Sequence, residues 1–217
     1  MSRAQPTPGL CLVASAESGA DGATRIASAL EATGAITLIL TPPASGAFDP
    51  AATRALIEAA HARKVAVLLA NDVPAAQRLD ADGVHLSWRP EIEDAYEAAR
   101  GTLGPDAIVG ADAGDSRHDA MTLGEAGADY VAFSLLPDAD DPAEARATQR
   151  DLLSWWVEVF VVPAVAFDAG TPADARELAR TGADFVAVRL PADVPAEKMA
   201  SWAQPFIAAL GAPADAA

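Results

Sequence analysis

Asn71 and Asp72 close the apolar run Val65-Ala66-Val67-Leu68-Leu69-Ala70. A carboxylate at the end of a buried strand can hold Mg²⁺, which takes one or two carboxylates and keeps several waters. The same carboxylate can instead accept a backbone N–H and cap a short helix that begins at Val73. The next apolar run carries His85, then Ser87, Trp88 and Arg89. His85 reads as either a catalytic group or a satisfied histidine lining the interior. Trp88 offers a flat face that covers an aromatic ligand or seals a rim. Other apolar runs end in Ser15 and Glu17, Thr41, Asp112, Ser134, Asp168 and Arg189. From this set the candidate ligand contacts are Asn71, His85, Arg89, Ser134, Asp168 and Arg189, and Asp72 is the candidate metal ligand. No catalytic residue is assigned.

Several chemistries lose support at once. No lysine ends an apolar run, which disfavours Schiff-base aldolase chemistry. There is no Cys/His pair and no cluster of histidines with metal-ligand spacing. Ser87, His85 and Asp112 make a Ser-His-Asp set on paper, with no motif behind it. Lys and Arg number 15 against 31 Asp and Glu, a net charge of -16, so a nucleic-acid partner is not expected. The same charge repels anionic ligands unless a site reverses it locally. The one cysteine, Cys11, lies in an apolar run with no cation near it in sequence, and reads as a core thiol in a reducing cytoplasm. No apolar stretch approaches the ~20 residues of a membrane span.

The elements that must position these groups are announced by a recurring phrase. Asp80-Ala81-Asp82-Gly83-Val84-His85 returns as Gly127-Ala128-Asp129-Tyr130-Val131-Ala132 and as Gly182-Ala183-Asp184-Phe185-Val186-Ala187, with a weaker version at Gly34-Ala35-Ile36-Thr37. The first slot suits a residue of positive φ just past a helix, where Gly has no Cβ to clash and Asp is better tolerated than most. The Val-rich run after it reads as a strand buried on both faces. Strands are predicted over 10–14, 35–41, 65–70, 83–86, 107–111, 130–134, 161–167 and 185–190. Helices are predicted near 22–33, 50–63, 73–79, 91–103, 117–126, 143–157, 172–181 and 195–209. Asp49-Pro50 and Thr171-Pro172 place a capping side chain before a proline at the first helical position.

Eight strands alternating with eight helices predict a single (β/α)8 TIM barrel, with an ordered core over about 10–210. The glycine-rich phosphate turns of an open sheet are absent. In such a barrel chemistry sits at the C-terminal ends of the strands, so Asp82, Asp129 and Asp184 belong to the stability face. Of Trp155 and Trp156, one is expected on the barrel and the other at an interface or loop, which suits a homodimer. The run Asp138-Ala139-Asp140-Asp141 with Glu144 reads as a solvated acidic loop.

Leu69-Ala70-Asn71-Asp72, a short helix, then Ala81-Asp82-Gly83-Val84-His85-Leu86 resembles the thiamine phosphate synthase and thiazole tautomerase family. Gly127 to Phe133, Val162 to Ala166 and Gly182 to Val188 resemble its sixth, seventh and eighth strands. The resemblance implies a TIM barrel that couples hydroxymethylpyrimidine pyrophosphate to thiazole phosphate with Mg²⁺, Asp72 matching one metal ligand. The chain departs from the pattern at the loops. Thr41-Pro42-Pro43 stands where the family has an Arg and a Lys on the pyrophosphate, and Ser87-Trp88-Arg89-Pro90 where it has a second metal-binding Asp. Gly110-Ala111-Asp112-Ala113-Gly114 replaces a Gly-x-Ser-x-His, the acidic run replaces a Thr-x-Thr-Lys loop, and Asp168-Ala169 replaces a Gly-Gly that cradles the thiazole phosphate. The expectation is therefore a divergent, cytoplasmic member in thiamine biosynthesis, with weak or lost synthase activity and a small-molecule ligand related to thiamine or its precursors. The alternatives are a tautomerase-like isomerase using His118 and a non-catalytic ligand-binding or regulatory barrel.

Overall fold

The computed structural model describes residues 7–17, 20–136 and 141–211. Eight parallel strands close into a barrel in sequence order: β1 (Gly9–Ser15), β2 (Thr37–Thr41), β3 (Ala66–Ala70), β4 (Gly83–Leu86), β5 (Ile108–Asp112), β6 (Tyr130–Phe133), β7 (Ala164–Ala166) and β8 (Phe185–Arg189). The helices around it are α1 (Ala20–Thr33), α2 (Pro50–His61), α3 (Val73–Leu79), α4 (Ile92–Leu103), α5 (Arg117–Glu125), α6 (Pro142–Val159), α7 (Pro172–Ala179) and α8 (Met199–Leu210), the last entered through one 3₁₀ turn. The predicted TIM barrel is the observed fold.

The recurring phrase is the device that closes the sheet. Gly34, Asp80, Gly127 and Gly182 all have φ between 60° and 88°, the left-handed turn predicted for the first slot. Two residues on, each aspartate reaches sideways to the preceding strand. Asp82 accepts the N–H of Val67, Asp129 that of Val109 and Asp184 that of Ala164, at 2.7, 2.7 and 2.8 Å. These carboxylates lie at the strand starts and bond strand pairs β3/β4, β5/β6 and β7/β8. Ile36 occupies the same slot before β2, and there only its backbone N–H reaches back, to Leu10 O at 3.4 Å.

Inside the barrel Cys11, Val13, Ile39, Leu68, Tyr130 and Phe167 form a core separate from the larger one beneath the helices. Burial pushes the Cys11 thiol up to about 12, as expected of an inert core cysteine. Gly110 makes room for Tyr130, since a Cβ there would lie 1.9 Å from Tyr130 Cζ. The Tyr130 hydroxyl bonds His85 Nδ1 at 2.9 Å, and the imidazole stacks on Phe167 at 4.6 Å between ring centroids.

Several boundaries differ from the sequence reading by one to four residues, and that of the seventh strand has a clear physical cause. The seventh strand is predicted from Val161 and begins at Ala164. Val161 is 99% exposed, Val162 O is taken by the Trp156 indole N–H at 2.8 Å, and Pro163 has no N–H for a ladder. Trp156 is the indole on the barrel, fully buried and stacked on Phe160 at 4.0 Å. Trp155 carries the Arg117 guanidinium over its ring, 4.9 Å from the centroid. No helix among the described residues is long and apolar enough to cross a membrane.

Candidate active site at the barrel mouth

The C-terminal strand ends gather the candidates around one rim. Asn71 follows β3 in the left-handed region, which asparagine tolerates, with φ 60°. Its amide oxygen accepts from Ser87 N at 2.9 Å and from the Arg89 guanidinium at 2.6 Å. Its amide nitrogen donates to Ser87 Oγ at 3.0 Å. One side chain thus joins the ends of β3 and β4 and aims Arg89. Neither Arg89 nor Arg189 forms an ion pair among the described residues.

Across the mouth two carboxylates organise the loop after β6. Asp112 is 3% exposed, and its Oδ1 accepts from Gly114 N at 2.9 Å and Ser134 N at 3.2 Å. Desolvation raises its carboxyl to about 6, against the hydrogen bonds from Ser134 and Gly114, which favour the charged form. Asp168 has φ 61° and accepts from Leu135 N at 2.9 Å. Beside it, Val13, Phe167, Ala187 and Arg189 line an open depression over β7, β8 and β1.

Two supporting residues come from α6 and carry no motif in the sequence. Gln149 is 2% exposed and donates to Phe133 O at 2.8 Å and Phe167 O at 2.9 Å, bridging the ends of β6 and β7. Arg146, one turn earlier, donates to Asp168 O at 3.1 Å. Arg25 is likewise spent on backbone, at Pro191 O and Val194 O. A polar residue on an amphipathic helix is ordinarily read as solvent-facing, so no pattern distinguishes these three.

His85, predicted among the ligand contacts, is placed below the mouth as an interior residue. It is 3% exposed, and burial lowers its imidazole to about 3, so it is neutral near pH 7. Asp72, predicted as metal ligand, caps α3 by accepting the Ala75 N–H at 2.9 Å. No group of three His, Cys, Asp or Glu among the described residues could hold a metal ion. One carboxylate with an oxygen committed to a cap does not make a resident Mg²⁺ site. His118 lies on α5, 84% exposed, with Nε2 3.8 Å from Glu93. Most of the acidic run falls outside the described residues. Its last member, Asp141, caps α6 through Ala143 N at 2.8 Å.

The comparisons with known proteins agree with this architecture. The family model for thiamine monophosphate synthase matches residues 10–190. The chain belongs to that family. The thiamine-phosphate synthase of Erythrobacter litoralis (strain HTCC2594) is 42% identical over 129 residues, 58% of this chain and 59% of the relative. That of Xanthomonas campestris pv. campestris (strain 8004) is 36% identical over 146 residues, 67% of this chain and 68% of the relative. The matched stretch thus spans 59%, 55% and 60% of three of these curated relatives and somewhat more of others. Among solved structures, a thiamine phosphate pyrophosphorylase from Pyrococcus furiosus superposes with a TM-score of 0.69 at 22% identity, over 94% of this chain and 97% of the other. At that identity the superposition speaks for the fold.

Proposed function

We propose that this chain acts in thiamine biosynthesis, binding phosphorylated pyrimidine and thiazole precursors at the barrel mouth, and that it couples them slowly or not at all. The observation that carries the binding half is the pair Arg89 and Arg189. Both reach the rim without an ion pair among the described residues, in a chain of net charge -16. Asn71 holds Arg89 in place, and Phe167 and Ala187 give an apolar floor on which a flat ring can rest.

The weak coupling follows from what the rim lacks. Releasing pyrophosphate from a pyrimidine carbon puts charge on leaving oxygens, and donors aimed at that charge lower the barrier. Thr41-Pro42-Pro43 brings no cation there. Arg25 and Arg146 already donate to backbone carbonyls. Each missing charge-assisted hydrogen bond removes about 1.5–3 kcal/mol, so several cost orders of magnitude in affinity. Mg²⁺ would have to arrive with the diphosphate, meeting Asp72 and the ligand's own oxygens.

The test is formation of thiamine phosphate by the purified chain with both substrates and Mg²⁺, beside a synthase relative. Turnover at least about 100-fold lower is expected, equivalent to about 2.7 kcal/mol of lost transition-state stabilisation. Equal turnover would overturn the weak-coupling reading. Thiazole phosphate binding without turnover would favour the non-catalytic ligand-binding barrel.

A further inference from the structure

The two sides of the rim differ, an indole lying on one and an open depression on the other. The turn from Asp112 to Gly114 lies between the ends of β4 and β6, and Gly114 has φ 58°. A Cβ on Gly114 would stand 2.8 Å from Trp88 Cδ1 and 2.9 Å from Leu136 Cδ2. The indole and the leucine are therefore seated directly on this glycine, and all three residues of the turn are buried. The indole N–H is itself buried and has no hydrogen-bond partner among the described residues. Over β7, β8 and β1 the mouth instead stays open, with Phe167, Ala187, Asp168 and Arg189 around the depression.

We propose that Trp88 is a specificity-determining residue. Its indole roofs the Asp112–Gly114 turn and closes the β4 to β6 side of the mouth, so that the site admits one phosphorylated ring at a time. The inference rests on the reading of the mouth as the precursor site. It goes beyond that reading in tying the exclusion of a second ring to one side chain. A coupling enzyme must hold two rings together in a near-attack arrangement, so such a roof limits coupling independently of the missing cations.

The experiment is competition calorimetry on the full chain. The probes are thiazole phosphate and hydroxymethylpyrimidine monophosphate, which has no pyrophosphate to expel. In the wild type, saturation with either ligand is expected to weaken the other by at least about tenfold. In Trp88→Ala both are expected to bind together, each within about threefold of its affinity alone. If Trp88→Ala does not fold, Trp88→Leu removes the indole while keeping an apolar side chain on Gly114, and is read in the same way. Simultaneous binding by the wild type, or continued exclusion in the folded variant, overturns the role of Trp88. Binding of neither ligand by any of these proteins overturns the reading of the mouth on which the inference rests.

Discussion

At the N-terminal end of the barrel Asp82, Asp129 and Asp184 each accept a backbone N–H from the neighbouring strand. At the C-terminal end Asn71, Asp112 and Asp168 also accept backbone N–H groups, but from loops. The chemistry is shared and the consequence differs. At the base the bond extends a regular ladder, so the same three-residue phrase serves again and again. At the mouth each loop has its own shape, and two of the three acceptors, Asn71 and Asp168, need a left-handed backbone to reach it. Polar side chains committed in this way are scaffold, and in the proposed site Arg89 and Arg189 are the rim cations without an ion pair among the described residues.

The largest expected effect separates the two ends by sign. Asp112 stands at about 6 when folded against an ordinary 3.8. Between those values the folded state keeps its proton where the unfolded state loses it, so this group's contribution to stability falls as pH rises and is gone above the folded value. At about 1.4 kcal/mol per pH unit the swing is about 3 kcal/mol. Asp112→Asn keeps an acceptor oxygen without the charge. Urea unfolding should find it near wild type at pH 3.5 and more stable by up to about 3 kcal/mol at pH 8. A variant less stable than wild type at pH 8 would erase this contrast.

Next in size, Asp129→Ala strands the Val109 N–H at the base and takes from Arg100 its carboxylate partner, leaving that guanidinium its bonds to Tyr96, Gly104 and Ala107. A loss of about 1–3 kcal/mol in unfolding free energy is expected, with ligand affinity unchanged. The mirror image is Arg89→Ala, for which calorimetry should show at least about tenfold weaker binding of thiazole phosphate or pyrophosphate. Stability there should change by less than about 0.5 kcal/mol, as for an ordinary surface substitution. Smallest is Asp72→Ala, which removes the cap of α3 and should cost about 1 kcal/mol. No measurable change in thermal unfolding would mean that the cap carries no weight.

The same comparison explains what could be read from the sequence. The phrase around Asp82, Asp129 and Asp184 encodes a local turn and a periodic sheet, both of which leave a pattern in one dimension. Asn71 and Arg89 were legible as candidates because they close apolar runs. Their direct bond was not legible, because nothing in the spacing fixes which rim residues meet. His85 belongs to an interior whose fit depends on Gly110 opposite Tyr130, a complementarity between two strands. Gln149 and Arg146 reach the rim from outside the barrel, and the seat of Trp88 on Gly114 joins residues from separate loops.

In the proposed site the mouth keeps its scaffold and meets anions with two arginines, Arg89 and Arg189. Calorimetric titration of the full chain with pyrophosphate and Mg²⁺ tests it most directly. A Kd of about 1 mM is expected, some 4 kcal/mol of binding, lost in Arg89→Ala. A Kd of about 1 μM or tighter that survives both Arg89→Ala and Arg189→Ala would contradict it.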